Sequence, residues 1–273
     1  MGKILISTRF SGDSIMSKVI TLLNRKGGCS KTSTAFSLAV ELSKKAKTCC
    51  IDLDDQANLT SWAGIDSLQY EFADYLLGKC EIQNVIQATK VPDLFIIPTA
   101  AREGELRSYA ETKAKDEPFK IYKLCQELSK VFDYIIIDTS PAWGSLEKSA
   151  CLASDEIITP LKLDKFSSDG LETLKANFDK LKLEYDDCHG ISENGRPYLN
   201  KLVLSEYNAS YALNKQLVKA YRPLEDNGFK LFIIPQDQAF KKAQQLCIPI
   251  QAFSDTKPET LKVLEELAEC VSK

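Results

Sequence analysis

The chain has 273 residues, 44% of them hydrophobic and 27% charged, which suits one large α/β domain with a sizeable core better than two small ones. A formal net charge of −3 excludes a globally basic nucleic-acid binder, so any DNA contact needs a local patch. Nine cysteines without a C-x-x-C and a single histidine, His189, exclude a zinc-ligand set, and reduced thiols in buried or half-buried positions are expected.

Residues 1–15 carry a short apolar run, Ile4-Leu5-Ile6, broken by Arg9, Gly12 and Asp13, which is too short for the core of a signal peptide. Ile6 stands where a myristoylation signal after Gly2 needs Ser or Thr. This segment is expected to be an extension, with a single domain over residues 16–273. The near-continuous apolar runs Val19–Leu23, Thr48–Leu53, Leu94–Ile97, Tyr134–Ile137, Glu156–Thr159, Leu202–Leu204 and Leu231–Ile234 predict strands buried on both faces. Helices are expected over Thr32–Lys44, Phe119–Phe132, Ser167–Leu183, Tyr211–Asn227 and Glu259–Val271. The segments Ala110–Pro118 and Asp186–Pro197 are polar and loop-like. Alternation of this kind predicts an α/β fold, a mostly parallel twisted sheet with helices on both faces. No run approaches the ~18 apolar residues of a membrane span.

Between the first strand and the first helix lies Asn24-Arg25-Lys26-Gly27-Gly28-Cys29-Ser30-Lys31-Thr32-Ser33. Adjacent glycines let successive backbone N–H groups face a phosphate, and the helix N-terminus adds partial positive charge there. Lys31 would then reach the β and γ phosphates of a nucleotide, and the Thr32 hydroxyl would ligate Mg²⁺. Arg25 and Ser30 occupy the two glycine positions of the strict phosphate-loop pattern, so on these residues alone a phosphate cradle and a fortuitous turn stand level.

Lys-Gly-Gly-x-x-Lys-Thr resembles the deviant Walker A signature of the ParA/MinD family of ATPases, whose signature lysine falls on Lys26. Ser30 stands where that family usually has Gly or Ala. Downstream, Asp52-Leu53-Asp54-Asp55-Gln56-Ala57-Asn58 is similar to the family's second acidic motif, with Asp55 and Ala57 in place of Pro and Gly. Tyr134–Pro141 resembles Walker B, with Ser140 where proline is common, and Ala153–Pro160 and Ile233-Ile234-Pro235 resemble two later landmarks. The likeness runs from about Lys18 to the C-terminus and implies a P-loop fold and ATP with Mg²⁺ as ligands. It implies nucleotide contacts from Lys26, Gly27, Gly28, Cys29, Ser30, Lys31, Thr32 and Ser33, with Asn208 and the backbone near Pro235 at the adenine. Thr32, Asp52 and Asp138 would serve the metal, Asp54 would position the attacking water, and Lys26 would reach the partner's ATP across a homodimer.

The family resemblance implies a partition or positioning ATPase that hydrolyses ATP slowly under stimulation by a ParB-like partner, segregating plasmid or chromosomal DNA in the cytoplasm or on the nucleoid. With the P-loop beginning near Asn24, a preceding operator-binding domain and a repressor role are not expected. Nonspecific DNA binding would fall to a patch of Lys215, Lys219, Arg222, Lys230, Lys241 and Lys242, since Ser210 and Gln236 occupy places where the family often has arginine. Those six residues read equally well as solvated helix faces. A MinD-like membrane-cycling ATPase is one alternative, opposed by the acidic Glu259–Val271 helix. A weakly hydrolysing nucleotide-dependent scaffold is another. A metallocluster carrier is disfavoured because paired cysteines are missing.

Overall fold

The computed structural model describes residues 17–101, 104–164, 167–185 and 197–273, the side chains of 167–169 excepted. The expected extension over residues 1–15, nearly all of the Asp186–Pro197 loop, Cys188 and His189 lie outside the described residues. In chain order the first half contains β1 (Lys18–Leu22), α1 (Lys31–Ser43), β2 (Thr48–Leu53), α2 (Asn58–Trp62), α3 (Phe72–Leu76), α4 (Ile82–Val85), β3 (Gln87–Ala88), β4 (Leu94–Ile97), α5 (Leu106–Thr112), α6 (Lys120–Leu128) and β5 (Tyr134–Thr139). The second half contains α7 (Ser145–Ala153), β6 (Glu156–Lys162), α8 (Ser167–Glu184), β7 (Tyr198–Tyr207), α9 (Ala212–Tyr221), β8 (Lys230–Pro235), α10 (Ala239–Gln245) and α11 (Pro258–Val271).

The eight strands form one sheet in the order β3-β4-β2-β5-β1-β6-β7-β8, parallel throughout except for the short antiparallel edge β3. The seven expected strands are all present. Side-chain alternation sends each strand into two cores. Ile136 and Val203 join the core beneath α1, α2, α10 and α11. Ile135 and Ile137 face α3 to α7, while Leu202 and Leu204 pack with Leu171 of α8 and with α9. Both faces are therefore covered by helices, as the apolar runs predict.

The differences lie at element ends and in short elements. The expected helix Tyr211–Asn227 is α-helical only to Tyr221 and continues as a 3-10 turn over Arg222–Asn227. Pro223 lacks an N–H and cannot continue the α ladder. Part of the expected Ala110–Pro118 loop belongs to α5. Helices α2, α3 and α4 have only four or five residues, too few to show a 3.6-residue period. Helix α7 is buried along most of its length, so it has no polar face to mark the period. The eight described cysteines are free, five buried and three half-buried.

Candidate nucleotide site

The site lies where parallel strands end and helices begin, beside the central strands β5, β1 and β6. Leu23 continues β1 by donating its N–H to the Ile158 carbonyl at 3.0 Å. Asn24 then turns the chain. Its Nδ2 donates to the Pro160 carbonyl at 2.6 Å, and its Oδ1 accepts the Lys26 N–H at 2.9 Å. Gly28 and Ser30 both adopt left-handed φ, at 67° and 71°. Ser30 gives α1 no side-chain cap, so the first-turn N–H groups are left for a ligand. A methyl built on Gly27 or Gly28 would meet no atom within 4 Å, so the outer side of the loop is open. Lys31 is only 7% exposed and lies within the loop. Its Nζ donates to the Asn24 carbonyl at 3.0 Å and to the Lys26 carbonyl at 3.4 Å. The Cys29 thiol donates to the same Lys26 carbonyl at 3.1 Å, and burial pushes its pKa up. These contacts preform a loop wrapped around one ammonium group, open toward a polyanion.

Three carboxylates stand behind that ammonium. Asp138 is fully buried near the end of β5, and neither of its oxygens has a hydrogen-bond partner of good geometry. The Thr32 hydroxyl lies close enough to lower its pKa. Burial first, then Asp52, hold the Asp138 carboxyl well above the usual range, against Thr32 and Lys31. An orphaned buried carboxylate beside a threonine hydroxyl is an oxygen donor set suited to Mg²⁺, which keeps several waters and takes one or two protein oxygens. Asp138 and Thr32 therefore fit the expected metal.

Asp52 fits that role less directly. One oxygen accepts the Thr60 N–H at 2.9 Å and the Thr60 hydroxyl at 2.7 Å, while the other accepts the Asp54 N–H at 3.3 Å. It fastens α2 to the end of β2. Burial raises its pKa to about 6, opposed by the Thr60 bonds. Asp54, one residue past β2, accepts the Gln56 N–H at 3.0 Å, and burial raises its pKa too. Ala57 takes the left-handed φ of 50° at the position where the resemblance expects glycine.

Lys26, expected to reach a partner's nucleotide, is here ion-paired with Asp164, two residues past β6. Sequence reasoning missed Asp164, because an aspartate after a strand carries no distinguishing pattern. It also missed Thr60, Glu147 and the Asn24 scaffold. Asn208 and Pro235 lie close together, with Tyr207 in register with Pro235. The Asn208 amide donates to Gln236 Oε1 at 3.0 Å, and the Gln236 N–H donates to the Tyr207 carbonyl at 2.7 Å. One strand, β6, lies between β1 and β7, so two strand spacings, roughly 10 Å, separate them, a span that a nucleotide bridges.

The six cations of the candidate DNA patch do not come together. Lys215 and Lys219 lie on α9, which packs against Leu202, Leu204 and Ile233. Lys241 and Lys242 lie on α10, which packs on the opposite face of the sheet with Phe232 and Ile234. Arg222 is forked onto Glu225 at 3.0 and 2.9 Å, and Lys230 lines a cleft with Glu225, Glu266 and Glu269. Lys242 lies 3.9 Å from Asp255. The single patch read from the sequence is divided by the sheet, and half of it is beside carboxylates.

A family profile described as an AAA domain matches residues 17–188. A chromosome-partitioning ATPase, Soj, of Treponema pallidum is 27% identical over 256 residues, covering 93% of this chain and 96% of that protein. The sporulation initiation inhibitor protein Soj of Bacillus subtilis is 32% identical over 163 residues, 58% of this chain and 64% of that one. Among solved structures, a plasmid partition protein of Borrelia burgdorferi bound to AMPPNP superposes with a TM-score of 0.74 at 24% identity, over 93% of this chain and 97% of that one. The McdA–ATP complex of Cyanothece reaches 0.79 at 20% identity, over 94% and 97%. With the deviant P-loop formed and its acidic partners in place, the chain belongs to this AAA-domain family as a P-loop ATPase of the ParA/MinD kind, allied to the ParA and Soj proteins.

Proposed function

We propose that this chain binds and hydrolyses Mg-ATP as a nucleotide-sandwich dimer and partitions or positions a DNA cargo in the cytoplasm with a ParB-like partner. The observation that carries the reading is Asp138, a buried carboxylate with two unpartnered oxygens placed behind the P-loop beside Thr32 and Lys31. Burying such a group without a partner costs stability, and a bound cation would supply that partner. Bound Mg²⁺ would supply charge neutralisation at the phosphate oxygens. Lys31 and the first-turn amides of α1 would hold the β and γ phosphates, and Asp54 would orient water. Lys26 would leave Asp164 for the partner's phosphates, so that ATP joins two chains and hydrolysis frees them.

The Asp54→Ala variant tests this reading. It should keep Mg-ATP binding and sediment as an ATP-dependent dimer, while phosphate release falls by at least about tenfold. Turnover near the parental rate would remove Asp54 from its role. A parent that binds no ATP would end the proposal.

A further inference from the structure

Ser140 and Glu147 form a pair that the phosphate-site motifs do not explain. Thr139, the last residue of β5, is in register with Leu53, the last of β2, so Ser140 leaves the sheet beside Asp54. The Ser140 hydroxyl and Glu147 Oε1 are 2.6 Å apart, with the hydroxyl donating. Glu147 Oε2 accepts the Gly144 N–H at 2.9 Å. Glu147 is only 5% exposed, and its charge is felt at Asp54 together with those of Asp55 and Lys31. A capping box at the start of α7 accounts for the bond to Gly144. It does not account for the second oxygen, which is spent on Ser140. Where the family commonly has proline, this chain has a hydroxyl with its own buried carboxylate.

We propose that Ser140, oriented by Glu147, is a second acceptor for the water that attacks the γ-phosphate. The inference rests on the ATPase reading above. Ser140 has one hydrogen, and Glu147 takes it, so toward the site its oxygen can only accept. A water that donates one hydrogen to Asp54 and the other to Ser140 keeps a lone pair for phosphorus. Its oxygen bonds to γ-phosphorus as the bond from phosphorus to the β–γ bridging oxygen breaks. That electron pair leaves on ADP, and both water hydrogens leave with phosphate as H₂PO₄⁻. Ser140 touches the reacting water, whereas Glu147 is a positioning residue. With one acceptor, a water rotates about its single bond; with two, its direction is fixed before the reaction.

The experiment compares the full-length parent with Ser140→Ala, Ser140→Thr, Glu147→Gln and the Ser140→Ala/Glu147→Gln double variant. Binding of a fluorescent ATP analogue with Mg²⁺ is measured beside single-turnover phosphate release. A glutamine at 147 can keep its oxygen on the Gly144 amide while turning its NH₂ to Ser140, which reverses the serine hydroxyl. Ser140→Ala and Glu147→Gln should each slow turnover by at least about tenfold, with affinity held within about twofold. The double variant should be no slower than either single, because the pair acts as a unit. Ser140→Thr, which keeps the hydroxyl, should retain most of the rate. Parental turnover in Ser140→Ala, or a loss of rate matched by a loss of affinity, overturns the inference and leaves the ATPase reading standing. A parent that binds ATP but never hydrolyses it removes both. Should Glu147→Gln fail to fold, the half-buried Ser140→Ala and Ser140→Thr variants decide the matter alone.

Discussion

Asp138 combines two requirements that oppose each other at the scale of one residue. Its charge is disfavoured by burial and by Asp52, yet the proposed Mg²⁺ site would need that charge to hold its cation. A carboxyl whose pKa is higher in the fold than in the unfolded chain makes the folded state bind more protons. Stability is then complete below the unfolded value and falls as pH rises through the folded one. For Asp52 that window runs from about 3.9 to about 6, and Asp138 shifts in the same direction. Nucleotide-free protein should therefore melt at a lower temperature at about pH 8 than at about pH 5. Asp138→Asn should reduce that difference and raise the melting temperature at the higher pH, while losing Mg-dependent ATP binding by calorimetry. Parental Mg-ATP affinity in this variant would refute the metal assignment. Lys31→Ala tests the opposite charge. Removing the ammonium at the centre of the loop should weaken ATP by at least about tenfold, ~1.4 kcal/mol, and unchanged affinity would reject the P-loop as the binding site.

At the scale of elements, the strands were legible because each is buried on both faces and reads as an apolar run. The phosphate loop was legible because its glycines, lysine and threonine fall in a fixed order between β1 and α1. Legibility failed where an element is shorter than the period that would reveal it, as in α2, or where a contact joins residues far apart in sequence. Lys26 with Asp164, 138 positions apart, is a contact of the second kind, whereas Ser140 and Glu147 are only seven apart but meet across the turn from β5 into α7, which carries no periodic pattern. The backbone states at Ser30 and Ala57 are half legible: the resemblance expects Gly or Ala at the first and Gly at the second, and both keep the left-handed conformation that glycine favours. A residue with a β-carbon is strained there by roughly 1–2 kcal/mol. Ser30→Gly should relieve that strain at the start of α1, offset by about 0.4–1 kcal/mol of unfolded-chain entropy. A net gain on the order of 1 kcal/mol corresponds to a rise of about 2–4 °C in melting temperature for a chain of this size. Ala57→Gly should gain less, because it also gives up a buried methyl worth about 0.8 kcal/mol. A fall in melting temperature for Ser30→Gly would show that the serine side chain contributes more than its backbone costs.

At the scale of the whole molecule, the sheet decides which distant groups cooperate. It separates α9 from α10, which divides the cations that the sequence would have gathered into a DNA patch. It also places the end of β6 beside the P-loop, which gives Lys26 a partner within its own chain. That pairing competes with any contact Lys26 makes across a dimer, since one ammonium cannot serve Asp164 and a second chain's phosphate at full strength. Both side chains are about a third exposed, so the pair is screened and weak enough to exchange. Asp164→Asn should therefore favour the ATP-dependent dimer, lowering its dissociation constant in sedimentation velocity, with nucleotide affinity of the monomer unchanged. Lys26→Ala should have the reverse effect, leaving ADP binding intact while the dimer weakens. Combined, the two substitutions should behave as Lys26→Ala alone, because Asp164 has nothing left to restrain. If Asp164→Asn dimerises no better than the parent while Lys26→Ala dimerises worse, Lys26 acts across the interface but Asp164 does not hold it back. If both dimerise as the parent does, the lysine faces its own chain throughout the cycle, and the nucleotide-sandwich arrangement is wrong for this protein.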